Sequence, residues 1–312
     1  MMKMNLLITG AYKYTQTQIN TLKEMFEQVD FLQLESDAVE NPEKYDAVIC
    51  NGLFLHNDIK KFANLKYIQL TSAGLDRVPL DYIKEKEISI YNARGVYSIP
   101  MAEYAILKIL ELYKYSKSFY INQNRHEWVK NRNILELSGK TAAIFGCGSV
   151  GIEVAKRLKA FGVGIIGVDI VKGKSEYIDK YELMSNMHEV LMKTDIVILT
   201  LPLTEDTFHL FDKSCFEKMK KNAVLINISR GQVINENDLI LSLKSGKISA
   251  AALDVFEEEP LSVESELWDL ENVIITPHNS FVGEGNNERM FDVIYNNLKG
   301  WMSYNENNGN IS

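Results

Sequence analysis

The feature that most restricts the fold is a succession of short, almost wholly apolar runs with helical patterns between them. Residues 6–9, 47–50, 67–70 and 88–91 make a first series, with a helix-like stretch at 16–28. Residues 141–145, 164–168, 196–199, 224–227, 250–253 and 273–276 make a second. Runs so apolar leave no face for water, which predicts strands buried on both faces of parallel sheets covered by helices. The expected class is therefore α/β, with two Rossmann-like or flavodoxin-like domains and a cleft between them. The 312 residues exceed one compact core and suit two.

Between the two series, residues 99–115 carry Ala, Leu, Ile and Glu at helical spacing, with Pro100 in a first turn. Residues 286–304 are helical in pattern too and follow the last strand, so the chain is expected to pass back to the first domain. This gives a discontinuous substrate domain, 1–97 plus 287–312, and a nucleotide-binding domain, 98–286. The Asn-rich stretch 305–310 is expected to fray.

Composition narrows the partners. A formal charge of −8 and a pI near 5.3 argue against a nucleic-acid surface, which needs clustered Lys and Arg. A small molecule is the expected partner, and an anionic one must be captured by a few local cations. The three cysteines, Cys50, Cys147 and Cys215, show no C-x-x-C spacing, so a reducing compartment is expected and neither disulfides nor a metal site. The apolar Leu6-Leu7-Ile8 is too short for a signal segment. No run reaches the roughly 18 apolar residues of a membrane span. A cytoplasmic protein is the reading.

The strongest local signal follows the run at 141–145: Gly146-Cys-Gly148-Ser149-Val150-Gly151, then a helical pattern over 152–160. Gly146 permits a tight turn, Gly148 lets a pyrophosphate approach the backbone, and Gly151 allows helix and strand to pack closely. The helix N-terminus then offers unpaired N–H groups to the phosphates. The next strand ends in Asp169, where a carboxylate accepts hydrogen bonds from the adenosine ribose. A 2′-phosphate would meet that negative charge, so NAD is expected rather than NADP.

Three later segments place a charged residue at a strand end: Arg230-Gly231 after 224–227, Asp254 to Glu259-Pro260 after 250–253, and Pro277-His278-Asn279-Ser280 after 273–276. In an open parallel sheet, ligands gather outside the carboxyl ends of the strands, so these charges can share one crevice. From about Leu65 onward the chain resembles the D-isomer-specific 2-hydroxyacid dehydrogenase family. The resemblance rests on Thr71-Ser72-Ala73-Gly74-Leu75-Asp76, Asn92, Pro100-Met101-Ala102-Glu103, the glycine loop, Leu201-Pro202-Leu203-Thr204 with Thr207, and the three charged segments.

That resemblance implies hydride transfer between NAD and C2 of a small 2-oxo or 2-hydroxy acid of D configuration. It makes Arg230 the clamp on the substrate carboxylate and 2-oxo oxygen, a task suited to a planar guanidinium. His278 becomes the general acid of reduction and the base of oxidation. Glu259 becomes its partner, orienting the imidazole and favouring its protonated form; formate dehydrogenases of the family carry Gln in this role. Ser72, Ala73 and Gly74 would offer backbone N–H groups to the substrate. Ser149, Val150, Pro202, Thr207, Ser229, Asp254 and Ser280 fall beside the cofactor, with Asp254 on the nicotinamide amide or, alternatively, only capping a strand end. No metal is needed, since Arg230 and His278 neutralise the developing alkoxide.

Some positions depart from the pattern. Asn235 replaces the usual Asp at a helix start, where Asn caps about as well. Asn279 follows the His where an apolar residue is frequent. The first 64 residues carry little signature, and His56, His126, His188 and His209 receive no chemistry. The family commonly dimerises through the segment corresponding to 116–137, so a homodimer is expected, with Tyr120 and Trp128 as anchors or ordinary core. Two rivals remain: an NAD-sensing corepressor-like binding protein, and a dehydrogenase of a non-carboxylate substrate such as phosphite.

Overall fold

The computed structural model describes residues 4–307. In chain order its strands are β1 (Asn5–Thr9), β2 (Gln28–Leu32), β3 (Ala47–Cys50), β4 (Tyr67–Leu70), β5 (Ser89–Tyr91), β6 (Thr141–Phe145), β7 (Gly164–Asp169), β8 (Lys180–Leu183), β9 (Ile196–Leu199), β10 (Val224–Asn227), β11 (Ala250–Leu253) and β12 (Val273–Ile275). The α-helices are α1 (Gln16–Met25), α2 (Leu80–Glu85), α3 (Ser98–Tyr113), α4 (Ser116–Asn124), α5 (Ser149–Ala160), α6 (Met187–Leu191), α7 (Lys213–Lys218), α8 (Glu236–Lys244) and α9 (Asn286–Asn307). Of the described residues, those up to Tyr97 together with those from Gly283 form one compact unit, and Ser98–Val282 forms the other.

The first unit holds a parallel sheet in the order β2-β1-β3-β4-β5, the flavodoxin-like arrangement. Alternate residues of each strand enter opposite cores, as the two-residue period requires. Leu6, Ile8, Ala47 and Ile49 pack with Ile294, Leu298 and Trp301 of α9, whereas Leu7, Val48, Cys50 and Ile68 pack with Leu53, Phe62 and Ile83. Helix α1 opens on a capping box: Thr15 Oγ1 accepts from Gln18 N and Gln18 Oε1 accepts from Thr15 N.

The second unit holds seven parallel strands in the order β12-β11-β10-β9-β6-β7-β8. Counted from β6, this is the dinucleotide-binding order 3-2-1-4-5-6 with one strand added. One face buries Phe145, Val197, Leu199 and Leu225 against Phe211, Phe216 and Leu239. The other buries Ile144, Ile196, Ile198 and Ile226 against Ala105 and Ile109 of α3 and Val154 and Leu158 of α5. Asn235 caps α8, accepting from Asp238 N at 3.1 Å, a bond worth about 1 kcal/mol.

Two strands escape the sequence pattern. β2 and β8 lie towards the sheet margins, and their sequences, QVDFL and KYEL, mix polar with apolar residues because neither is buried on both faces. The helix expected over 16–28 accordingly stops at Met25, and the chain turns into β2. α9 continues through Asn307, and the rest of the Asn-rich stretch, 308–310, lies outside the described residues. Among the described residues no helix is long and apolar enough to cross a membrane.

Candidate active site

The glycine loop sits at the exit of β6, where the order of the seven-stranded sheet reverses. Gly146 has a φ of 94°, and a Cβ there would lie 2.8 Å from Thr200 O. A Cβ on Gly151 would lie 2.2 Å from Gly146 O. Both positions therefore exclude any side chain, one for the turn and one for the strand–helix contact. Gly148 differs: no atom stands within 4 Å of a Cβ built on it, so nothing in the described protein demands glycine. The space beside it is what an approaching pyrophosphate would use.

Helix α5 begins beyond Gly148 without a side-chain cap, and its first backbone bond runs from Ile152 N to Gly148 O. The N–H groups of its opening turn thus project out of the helix end, along with the positive end of the dipole. Asp169 closes β7 and accepts from Cys147 N at 2.7 Å and from Ile170 N at 2.7 Å. Each oxygen keeps a lone pair for another donor. The Cys147 thiol is pushed up to about 12, chiefly by burial and then by the Asp169 carboxylate, so it stays protonated beside the loop. These residues fit a dinucleotide whose phosphates meet the helix end and whose ribose meets Asp169.

At the exits of β10, β11 and β12, buried polar groups lash the loops together. Asn227 is wholly buried; its Oδ1 accepts from Ser229 N and Ser229 Oγ, and its Nδ2 donates to Arg230 O at 3.1 Å. Asp254 is 1% exposed, yet its carboxylate is well met: Oδ1 accepts from Thr276 Oγ1 (2.8 Å) and Asn279 N (2.9 Å), and Oδ2 from Ser280 N (2.8 Å). Its carbonyl also accepts from His278 N at 2.8 Å. Three donors compensate the desolvated charge. They also bind the end of β11 to the turn after β12.

That turn carries His278 at a φ of 48°, in the left-handed region that a non-glycine residue enters only when its surroundings hold it there. The ring is thereby aimed at Glu259, with His278 Nδ1 and Glu259 Oε2 2.8 Å apart. Glu259 Oε1 accepts from Phe256 N at 3.1 Å, and Phe281 meets the imidazole edge-on at 5.9 Å between ring centroids. Both members of the pair remain over a third exposed. Such a pair can move a proton at imidazole Nε2 while the carboxylate holds the opposite nitrogen.

The structure thus brings His278 and Glu259 together and leaves Arg230 outside their hydrogen bonds. Its Nη1 donates to Ser229 O at 2.8 Å. What fixes Arg230 is its neighbour: a Cβ on Gly231 would lie 1.8 Å from the carbonyl carbon of Phe256, so the two loops pack backbone against backbone. Pro202 and Thr207 form their own turn, in which Thr207 Oγ1 donates to Pro202 O (2.7 Å) and accepts from Thr204 N (2.8 Å). In the first unit, Ser72 Oγ donates to Gly74 O, and Asn92 Nδ2 donates to Ala73 O. The backbone N–H groups of Ser72, Ala73 and Gly74 donate to no group among the described residues.

Asn227 and Thr276 are not among the residues that the sequence motifs single out. Their signal was present: each is a polar residue closing an apolar run, a position where a buried side chain must find an internal partner. Among the described residues no group of three His, Cys, Asp or Glu could hold a metal ion.

Residues 106–280 match the family described as D-isomer specific 2-hydroxyacid dehydrogenase, NAD binding domain. The chain is 37% identical over 235 residues to a D-3-phosphoglycerate dehydrogenase of Methanocaldococcus jannaschii, covering 74% of this chain and 44% of that one. It is 35% identical over 222 residues to a hydroxypyruvate reductase of Thermotoga maritima, covering 69% and 70% of the two. The chain spans about half the length of the first curated relatives it matches, 44% and 46%. Among solved structures, a glyoxylate reductase from Paecilomyes thermophila superposes with a TM-score of 0.83 at 26% identity, over 96% of this chain and 95% of that one. With the matched region covering more than half of its residues, the chain belongs to the D-isomer specific 2-hydroxyacid dehydrogenase family.

Proposed function

We propose that the chain is an NAD-dependent oxidoreductase that interconverts a small 2-oxo acid and its D-2-hydroxy acid. The observation that carries this reading is the His278–Glu259 pair, 2.8 Å apart, on a turn anchored by the buried Asp254. NADH, when bound, supplies the hydride for C2 of the substrate. His278 delivers a proton from Nε2 to the 2-oxo oxygen, while Glu259 holds Nδ1 and offsets the imidazolium charge. Arg230 holds the substrate carboxylate and polarises the carbonyl; in the first unit, the N–H groups of Ser72, Ala73 and Gly74 are proposed to serve an anionic substrate group. Of the cofactor contacts, Gly146, Gly148, Ser149, Val150 and Gly151 serve the pyrophosphate and Asp169 the ribose. Pro202, Thr207, Ser229, Asp254 and Ser280 line the remainder, the latter two acting through the turn that carries His278.

Preference for NAD over NADP follows from the Asp169 carboxylate, which would repel a 2′-phosphate. The segment 116–137 carries exposed aromatic surface, with Tyr120 61% and Trp128 95% exposed, and is assigned to a homodimer interface. Sedimentation would test it: a monomer at micromolar concentration would remove that assignment. The reaction itself is tested by following NADH absorbance with pyruvate, hydroxypyruvate, glyoxylate and branched-chain 2-oxo acids. Turnover of at least one is expected, and NADH oxidation with none of them would overturn the reading.

A further inference from the structure

A second histidine–glutamate pair draws its carboxylate from the same loop as the first. His209 Nε2 lies 2.9 Å from Glu257 Oε1, and Glu257 is two residues from Glu259. His209 shares with His278 a left-handed backbone, with a φ of 49°, and its ring stacks on Phe208 at 4.0 Å and 17°. Around this pair three chain segments are laced together. Glu257 Oε1 also accepts from Glu236 N, the first residue of α8, at 2.9 Å, and Glu257 N donates to Glu236 Oε2 at 3.3 Å. Gln232 Nε2 donates to Glu257 O at 2.8 Å, and His209 N donates to Gln232 O at 2.8 Å.

We infer that His209 and Glu257 are positioning residues: with Gln232 they fix the loop from which Glu259 reaches His278. This rests on the reading that Glu259 and His278 carry the proton transfer. The mechanical connection is short. Glu257 is pinned on one side by His209, Gln232 and the N-terminal N–H of α8, a favourable place for a carboxylate. On the other side Phe256, flush against Gly231, donates its N–H to Glu259 Oε1 at 3.1 Å. Releasing Glu257 loosens its neighbour Phe256, whose N–H holds one oxygen of Glu259, and so loosens the other oxygen's hold on His278 Nδ1. A misplacement of this kind lowers the rate of the chemical step more than it weakens binding.

The test compares His209→Phe, which keeps the stack on Phe208 but removes the donor, with His209→Gln, which restores an N–H near the same place. Each is assayed by kcat, KM for a turned-over 2-oxo acid, NADH affinity, thermal melting and the pH profile of kcat/KM for reduction. His209→Phe is expected to lower kcat about 10-fold or more at nearly unchanged NADH affinity. It should move the upper pH limb toward acid, in the same direction as Glu259→Gln, and His209→Gln should recover most of the rate. An unmoved pH limb, or a rate loss accompanied only by a lower melting temperature, would overturn the inference. Should His209→Phe not fold, Gln232→Met replaces it, with the same shift expected in smaller measure and its absence equally decisive. If the parent turns over none of the 2-oxo acids, the proposed function has failed; if His278→Gln and Glu259→Gln leave turnover intact, the proton-transfer role of that pair has failed; if they impair it and His209→Phe does not, the positioning role alone has.

Discussion

The two parallel sheets each use a carboxylate to tie their strand exits together, but to different ends. In the five-stranded sheet, Glu35 accepts from Thr9 Oγ1 and Asn51 N through one oxygen and from Gly52 N through the other. It fastens the Thr9 hydroxyl to the backbone of Asn51 and Gly52. In the seven-stranded sheet, Asp254 fastens the turn that aims His278, and Asn227 fastens the one that carries Arg230. A group proposed to exchange a proton needs a fixed side chain on a fixed turn, which buried polar residues such as Asp254 can provide. A surface proposed only to meet an anion can offer bare N–H groups, and those of Ser72, Ala73 and Gly74 donate to no group among the described residues.

If that contrast is right, substitutions in the seven-stranded unit should have the large effects. His278→Gln is expected to lower kcat by about 10²–10⁴-fold while leaving NADH affinity within a few-fold; stopped-flow turnover and fluorescence titration would check both. Retained turnover would remove the imidazole from the mechanism. Gly231→Ala comes next, since its Cβ would lie 1.8 Å from the Phe256 carbonyl carbon. Overpacking of this kind costs about 1–3 kcal/mol, so a lower melting temperature should accompany a loss of kcat.

Glu259→Gln removes the negative charge 2.8 Å from His278. The protonated imidazole loses that support, so reduction, which consumes the proton, should fall off at lower pH than in the parent. A profile that does not move would sever the pairing. In the five-stranded unit, Ser72→Ala should leave KM for the acid within about 2-fold, since the hydroxyl already bonds Gly74 O and the backbone N–H survives. A large rise in KM would show that side chains matter there too. The smallest effect belongs to the thiols of the seven-stranded unit. Burial pushes Cys147 to about 12 and Cys215 to about 11, and a thiol loses its proton only as pH rises through its pKa. Iodoacetamide at pH 8 should therefore modify neither in the folded protein, as read by mass spectrometry.

Much of this was legible in one dimension. Strands buried on both faces, such as β3 and β9, announce themselves as unbroken apolar runs, because burial on two sides admits a polar residue only where it finds an internal partner, as Asn227 does at the end of β10. The glycine loop was readable because steric exclusion at Gly146 and Gly151 acts on the residue itself. β2 and β8 were not readable, since partly buried strands mix polar and apolar residues as loops do. The first 64 residues carry no signature of binding, and the contacts there explain why: bonds such as those to Asn51 N and Gly52 N use backbone, which every residue possesses.

By itself, then, the sequence determined two parallel sheets, a nucleotide loop at a strand exit and the identity of the charged groups at three others, because periodicity and glycine sterics are local. The resemblance already named Glu259 as the partner of His278; only the tertiary structure decided how that pair is held, that Glu257 turns to His209, and that Arg230 bonds Ser229 O rather than either member of the pair. Glu257 and Glu259 are chemically alike, and the contact each makes is set by how their loop packs against Gly231 and the start of α8.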